Sequence, residues 1–91
     1  MLVNNMPEIT IYTKDYCPYC TKAKNLLIRK GITDITEIDV THDEKLQGEM
    51  ITKSGGRRTV PQIFIGDVHV GGCDDLHALE SKGQLAALLE K

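Results

Sequence analysis

Residues 8–20 of the chain are EITIYTKDYCPYC, an alternating apolar and polar run followed by two cysteines with two residues between them. The alternation predicts a strand over residues 8–13, with Ile9 and Ile11 on one face. Pro18 suits the first position of a helix, where its missing backbone N–H costs nothing. This stretch therefore predicts a strand, a short loop and a helix that opens on the cysteine pair.

Helical spacing of apolar residues continues from the cysteine pair to Gly31, which suits a left-handed helix cap. An alternating, β-branched run over residues 36–40 predicts a second strand. Thr41 and Glu44 have the spacing of a capping box, which predicts the start of a second helix. We expect that helix to end at the glycine pair 55–56.

The C-terminal half of the chain predicts a hairpin and a last helix. Residues 60–65 are expected to form the third strand, and residues 68–70 to return beside them as an antiparallel fourth strand. Asp74 or Asp75 is expected to cap the last helix, which carries leucines at helical spacing and a break at Gly83.

The predicted order β-α-β-α-β-β-α indicates an α/β fold with a four-stranded mixed sheet flanked by helices. The first two strands would be parallel and joined by a right-handed crossover. We expect a short N-terminal tail over residues 1–7 and a single domain over residues 8–91.

The composition excludes several classes of protein. The chain has 91 residues, of which 41% are hydrophobic and 26% charged, and its net charge is −2. That charge gives no attraction to a phosphate backbone or to an anionic membrane. No apolar run approaches the roughly 20 residues of a membrane helix, and the N-terminus lacks a secretory pattern. We expect a cytoplasmic protein that binds neither nucleic acid nor a membrane.

The chemistry is predicted to reside in Cys17 and Cys20. The free N–H groups and positive dipole end of a helix N-terminus favour a thiolate on Cys17. The spacing places Cys20 one helical turn away, where its sulfur can attack a mixed disulfide formed on Cys17. Cys17 is then the nucleophile and Cys20 the resolving thiol.

Metal binding is the alternative for this cysteine pair. Together with Cys73 and His77 the pair supplies four ligands that suit zinc, although a chain with a full core needs no structural zinc. A [2Fe–2S] cluster held by Cys17 of two chains is disfavoured because Pro18 stiffens the motif. The position of the pair between a strand and a helix favours redox chemistry, so we expect no bound metal.

Four motifs in register resemble the glutaredoxins, and most closely the small dithiol glutaredoxins of bacteria. They are Tyr12-Thr13-Lys14, Cys17-Pro18-Tyr19-Cys20, Thr59-Val60-Pro61 and Gly71-Gly72-Cys73-Asp74-Asp75-Leu76. The resemblance covers residues 8–91 and implies a thioredoxin-like fold, with the strands in the order second, first, third, fourth. It also implies a glutathione-dependent thiol–disulfide oxidoreductase that reduces protein disulfides and glutathione mixed disulfides.

The resemblance further implies a glutathione-binding site. Its residues would be Lys14, Tyr19, Thr59, Val60, Pro61, Gly72, Cys73, Asp74 and Asp75. The Val60–Pro61 bond is implied to be cis, with the Val60 backbone pairing with a bound cysteine. The last helix would bind the γ-glutamyl carboxylate at its N-terminus, and Asp75 would meet the γ-glutamyl ammonium.

Lys14 is either a solvated loop lysine or, as the resemblance implies, a residue that holds the glycyl carboxylate of glutathione, a task that Arg57 or Arg58 would share. Cys73 is interpreted as a buried or half-buried residue whose backbone matters more than its sulfur. The three histidines, His42, His69 and His77, are interpreted as surface or packing residues.

The expected partners are glutathione and disulfide-containing or glutathionylated proteins, among which the family suggests ribonucleotide reductase. We expect the protein to be a monomer. A redoxin recycled by a flavoprotein reductase, in the manner of thioredoxin, is the second hypothesis. The absence of tryptophan and the segment 71–75 favour glutathione.

Overall fold

The computed structural model describes residues 7–89, so the predicted tail lies, apart from Pro7, outside the described residues. The elements in chain order are β1 (Ile9–Thr13), α1 (Pro18–Arg29), β2 (Ile35–Asp39), α2 (Glu44–Lys53), β3 (Gln62–Ile65), β4 (Val68–Gly71), α3 (Cys73–Ser81) and α4 (Leu85–Leu89). Gly31 follows α1 with a φ of 91°, which confirms the predicted left-handed cap.

The four strands form one mixed sheet in the order β2-β1-β3-β4. β1 is parallel to β2 and antiparallel to β3, and β4 completes an antiparallel hairpin with β3. Ile9 lies opposite Ile35 on one side and Ile65 on the other. The structure confirms the predicted α/β fold and the strand order implied by the resemblance.

The sheet separates two hydrophobic clusters. The larger cluster joins one face of the sheet to residues of α1, α3 and α4; its sheet residues are Ile9, Ile11, Ile63 and Ile65. On the opposite face, Tyr12 packs with Val40 and with Met50 of α2. The alternation in β1 therefore directs its isoleucines into the larger core and its tyrosine into the smaller one.

The start of α2 differs from the prediction. Asp43, not Thr41, is the N-cap, and its carboxylate accepts a hydrogen bond from the Leu46 N–H at 3.0 Å. Glu44 is the first helical residue and so cannot close a capping box. The Thr41 hydroxyl instead accepts a hydrogen bond from the Asp15 N–H at 2.8 Å.

The start of α3 also corrects a prediction, because neither Asp74 nor Asp75 is its N-cap. Gly72 is the N-cap and the helix begins at Cys73. Asp75, at the third helical position, reaches back to accept a hydrogen bond from the Gly72 N–H at 2.8 Å. The break predicted at Gly83 is confirmed, since α3 and α4 are separate helices.

All four strands differ from their predicted bounds by one or two residues: β1 begins at residue 9 instead of 8, and β4 ends at residue 71 instead of 70. β2 covers Ile35–Asp39 instead of residues 36–40, in register with the five residues of β1. β3 begins at Gln62 instead of residue 60. Pro61 has no N–H to donate to a ladder, so regular pairing starts after it. Among the helices of residues 7–89, none has the length and apolar character needed to cross a membrane.

Candidate functional site

A disulfide joins Cys17 and Cys20 at the start of α1, where their Cα atoms are 5.2 Å apart. Cys17 is the N-cap of the helix, and its Sγ accepts a hydrogen bond from the Cys20 backbone N–H at 3.1 Å. The N–H groups of a first helical turn lack partners within the helix and form the positive end of its dipole. This environment stabilises negative charge on the Cys17 sulfur once the disulfide is reduced.

The two cysteines differ in their access to solvent. Cys20 is 3% exposed and belongs to the core, whereas Cys17 is half-buried. Between them, the Tyr19 ring is exposed and lies 5.5 Å from the Lys22 Nζ, a distance that suits a cation–π contact. A reagent that approaches from solvent therefore reaches Cys17 more easily than Cys20.

A cavity of about 370 Å³ lies beside the first turn of α1. This volume falls within the roughly 300–1,000 Å³ that is typical of small-molecule sites. The cavity is lined by Tyr19, Arg57, Thr59, Val60, Pro61, Gly72, Cys73, Asp74 and Asp75. These residues come from α1, from the segment before β3 and from the start of α3. The structure thus brings together the residues of the predicted glutathione site, with the exception of Lys14.

The segment before β3 forms one wall of this cavity. Its Val60–Pro61 peptide bond is cis, as the resemblance implies. The side-chain amide of the fully buried Gln62 donates to the Thr59 carbonyl at 3.0 Å and to the Thr59 hydroxyl at 3.2 Å. A buried side chain of the sheet therefore holds this wall.

Asp75 connects the start of α3 to the opposite wall. One carboxylate oxygen accepts the Gly72 N–H and lies 3.4 Å from the Arg57 guanidinium. The hydrogen bond from Gly72, with a smaller contribution from Arg57, lowers the pKa of the Asp75 carboxyl below its ordinary value of 3.8. Gly71 has a φ of 113°, and a Cβ placed there would collide with this carboxylate. The site therefore carries an ionised carboxylate in a fixed position.

A family model described as Glutaredoxin matches residues 9–70, which extend from β1 into β4 and include the disulfide and the cis proline. The chain belongs to the glutaredoxin family.

Two bacterial relatives of this glutaredoxin match it over almost their whole length. A glutaredoxin of Pseudomonas aeruginosa is 56% identical over 84 residues, which cover 92% of this chain and 98% of the relative. Glutaredoxin 3 of Escherichia coli K12 is 49% identical over 85 residues, 93% of this chain and 100% of the relative. A crystal structure of a buckwheat glutaredoxin–glutathione complex has a TM-score of 0.80 and 31% identity, with 94% of this chain and 78% of that chain covered.

Glutaredoxins are glutathione-dependent thiol–disulfide oxidoreductases, and this glutaredoxin is therefore an enzyme of that class with glutathione as co-substrate. The expected family, the thioredoxin-like fold and the activity are all confirmed.

The three cations proposed for the glycyl carboxylate differ in position. Lys14 does not line the cavity but a separate depression, together with Cys17, Cys20 and Asp39. Arg57 lines the cavity, whereas Arg58 does not. Of the two arginines that the sequence left open, the structure thus brings Arg57 to the cavity, and the roles of Arg57 and Lys14 stay predictions.

Cys73 is buried and is the free cysteine within the described residues. Burial, followed by the nearby negative charge of Asp74, raises the pKa of its thiol, which keeps it protonated at neutral pH. The His77 Nδ1 lies 3.0 Å from the Cys73 carbonyl oxygen and 3.5 Å from its Sγ. These features favour a role for the Cys73 backbone over one for its sulfur.

No group of three or more His, Cys, Asp and Glu side chains in residues 7–89 is arranged to hold a metal ion. Cys73 and His77 are therefore not gathered with Cys17 and Cys20, as the zinc alternative required.

The sequence analysis did not predict the contacts that three residues make near the site. Thr41 connects the loop before Cys17 to the end of β2 through the Asp15 N–H. Gln62 and His69 lie behind the cavity wall, with the His69 Nε2 at 2.7 Å from the Gln62 Oε1. The available signal was a glutamine at the start of a strand whose other residues are apolar, since a buried polar side chain needs partners.

Proposed function

We propose that Cys17 is the nucleophile and Cys20 the resolving thiol of this enzyme, which reduces both protein disulfides and glutathione mixed disulfides. The observation that carries this proposal is the asymmetry of the pair. Cys17 is the half-buried N-cap of α1 and accepts a backbone hydrogen bond, whereas Cys20 is buried within the first turn.

Reduction of a glutathione mixed disulfide needs Cys17 alone. The Cys17 thiolate attacks the glutathionyl sulfur, so that a Cys17–glutathione disulfide forms and the substrate protein leaves as a thiolate that takes up a proton. The thiolate of a second glutathione then attacks the glutathionyl sulfur of the adduct. Oxidised glutathione forms, and the Cys17 thiolate is regenerated.

Reduction of a protein disulfide uses both cysteines. Cys17 attacks one sulfur of the substrate, and Cys20, after losing its proton, attacks the Cys17 sulfur of the mixed disulfide. The substrate leaves with both sulfurs reduced, and the enzyme is left with the Cys17–Cys20 disulfide. Two glutathione molecules then reduce that disulfide and leave as oxidised glutathione.

Glutathione is proposed to bind in the cavity beside Cys17. Its γ-glutamyl carboxylate would accept hydrogen bonds from N–H groups at the start of α3, where the helix dipole is positive. The Asp75 carboxylate would pair with the γ-glutamyl ammonium, and the Val60 backbone with the cysteinyl backbone. Arg57, which lines the cavity, and Lys14, which lines the depression shared with Cys17, are the two candidates for binding the glycyl carboxylate. The buckwheat relative that was crystallised with glutathione supports glutathione as the ligand.

The domain organisation, oligomeric state, localisation and protein substrates of the enzyme are also proposed. We propose that residues 8–91 form one domain, that the protein is monomeric and that it acts in the cytoplasm. Its proposed substrates are glutathionylated proteins and proteins with reducible disulfides, including ribonucleotide reductase.

The source of reducing equivalents tests the proposal. The enzyme is assayed on a glutathionylated peptide and on a protein disulfide, with either glutathione and glutathione reductase or thioredoxin reductase as the NADPH-coupled supply. We expect turnover of both substrates with the glutathione system. Turnover with thioredoxin reductase alone would reject the glutathione site and favour the thioredoxin-like alternative.

A further inference from the structure

A hydrogen-bond chain centred on the buried Gln62 joins the exposed Thr59 of the cavity wall formed by residues 59–61 to the half-buried His69 of β4. Gln62 is 0% exposed, and its side-chain nitrogen donates to both oxygens of Thr59. The Thr59 carbonyl can only accept a hydrogen bond, so the NH₂ group of Gln62 must face Thr59 and the amide oxygen must face His69. The chain thus has a defined direction.

This direction fixes the proton on His69. The Gln62 oxygen only accepts, and it lies 2.7 Å from the His69 Nε2, so that nitrogen carries a proton and donates it. Burial and the Arg57 charge lower the pKa of His69 below its ordinary 6.5, while Asp75 opposes them. Lys82 lines the same depression as His69. The neutral Nε2–H form of the ring is the one these surroundings favour.

The His69 ring has a second contact that does not involve its hydrogen bond to Gln62. It lies against Phe64, with ring centroids 4.9 Å apart and an interplanar angle of 31°. Packing and hydrogen bonding by His69 are therefore two separable functions of one side chain.

We propose that His69 is a positioning residue for glutathione: through Gln62 it orients Thr59 and so holds the wall of residues 59–61 in the shape that receives the tripeptide. Without the His69 donor, the buried Gln62 oxygen has no partner, which favours a reorientation of the amide that weakens its hydrogen bonds to the Thr59 carbonyl and hydroxyl. This inference rests on the proposed glutathione site. It adds two residues that contact no glutathione themselves.

The hydrogen-bond chain from His69 through Gln62 to Thr59 does not depend on the charge of His69. An imidazolium keeps its Nε2–H, so the hydrogen bond to Gln62 persists in both protonation states. The feature that matters is a donor at the Nε2 position.

Two substitutions separate the donor from the ring. His69→Phe keeps an aromatic ring beside Phe64 but has no donor. His69→Gln loses the ring but keeps an N–H near the position of Nε2. We expect His69→Phe to raise the KM for glutathione about tenfold, the size of one lost hydrogen bond, while His69→Gln stays near the wild type. The alkylation rate of reduced Cys17 should be the same in all three proteins.

The opposite order, with His69→Gln impaired and His69→Phe normal, would show that packing against Phe64 is the function of His69 and would overturn the proposal. Equal impairment of both variants, with unfolding midpoints lowered equally, would also overturn it in favour of a role in stability alone.

A spectroscopic readout separates this proposal from the proposed function. In NMR spectra of the ligand-free protein, the side-chain amide protons of Gln62 should be protected from exchange in the wild type and in His69→Gln. They should exchange rapidly in His69→Phe. If wild-type activity has no saturable dependence on glutathione, the proposed function fails even when this pattern is seen. If glutathione dependence is normal but the pattern is absent, the positioning role fails alone.

Discussion

The Asp75 carboxylate holds two walls of the cavity together, because it accepts the Gly72 N–H and pairs with Arg57. Asp75→Asn keeps the shape of the side chain but removes its charge. A hydrogen bond to a charged group contributes more binding free energy than a hydrogen bond between neutral groups. We therefore expect the KM for glutathione to rise about tenfold or more in Asp75→Asn. Steady-state assays measure this change, and alkylation of reduced Cys17 at an unchanged rate is the control. An unchanged KM would remove Asp75 from the site.

The same carboxylate makes stability depend on pH. Its folded-state pKa lies below the ordinary 3.8, so its stabilising contribution is complete above that pH and is lost as the pH falls through the folded-state pKa. We expect the difference in urea midpoint between the wild type and Asp75→Asn to be largest at neutral pH and to disappear in strong acid. A difference that grows in acid would contradict this assignment.

Two adjacent glycines at the site have different functions. Gly71 has a positive φ and no room for a Cβ beside Asp75, so Gly71→Ala should lower the free energy of unfolding by about 1–3 kcal/mol. A Cβ on Gly72 would meet the Pro61 carbonyl oxygen at an ordinary 3.6 Å. Gly72→Ala should therefore lose less stability than Gly71→Ala, only the small cost of alanine at an N-cap, but raise the KM for glutathione, because its methyl group enters the cavity.

Urea unfolding and the glutathione-coupled assay on the two alanine variants measure both effects. The interpretation fails if Gly72→Ala is the less stable protein, or if only Gly71→Ala alters the KM.

At the scale of single residues, the sequence allows prediction of the site residues that belong to recognisable motifs. The cysteine pair and the cavity residues were predicted because they belong to short runs with characteristic spacing. The choice between Arg57 and Arg58 was not predictable, because adjacent loop residues point in directions that only the tertiary structure fixes. Gln62 gave a weak signal, a polar residue at the start of an apolar strand.

Among the elements, α2 offers a direct test of how the chain specifies a helix start. Asp43 is the N-cap through its hydrogen bond to the Leu46 N–H. Asp43→Ala should lower the free energy of unfolding by about 1 kcal/mol, and Asp43→Asn, which can still cap, should recover most of it. Urea denaturation measures the loss, and amide exchange should locate it in α2.

Thr41→Ala is the matched control, because Thr41 lies two residues from the cap and bonds to Asp15 instead. It should leave exchange in α2 unchanged and loosen the loop that precedes Cys17. Faster exchange in α2 after Thr41→Ala than after Asp43→Ala would restore the capping box that the sequence predicted.

The helices and strands themselves were predictable because hydrophobic periodicity indicates which face is buried. The residues at which they begin and end were harder to predict. Both Thr41 and Asp43 are good caps, and the spacing to Glu44 favours the wrong one. The contact that engages Thr41 joins residues 26 positions apart, which no local pattern contains.

For the whole molecule, the register of the sheet explains why motifs distant in sequence meet at one site. β1 and β3 are antiparallel, and Tyr12 near the end of β1 pairs with Gln62 at the start of β3. Gly71 at the end of β4 lies opposite Ile63. The residues after β1, before β3 and after β4 therefore meet at one edge of the sheet, where the cysteine pair, the cis proline and the start of α3 lie.

The order of elements was enough to predict this topology, because a parallel first pair and a closing hairpin leave few arrangements of four strands. It did not predict that Lys14 would lie apart from the cavity. Lys14 follows β1 directly, but it lines the depression shared with Cys17 and Asp39 and not the cavity lined by Arg57 and Asp75.

The division of labour between the two cysteines is the central claim, and the rates of Cys17→Ser and Cys20→Ser on two substrates test it most directly. Both variants are assayed with glutathione and glutathione reductase on a glutathionylated peptide and on a protein disulfide. We predict that Cys17→Ser has no activity on either substrate, and that Cys20→Ser keeps deglutathionylation but loses reduction of the protein disulfide. Deglutathionylation that survives in Cys17→Ser, or is lost equally in both variants, would contradict the account.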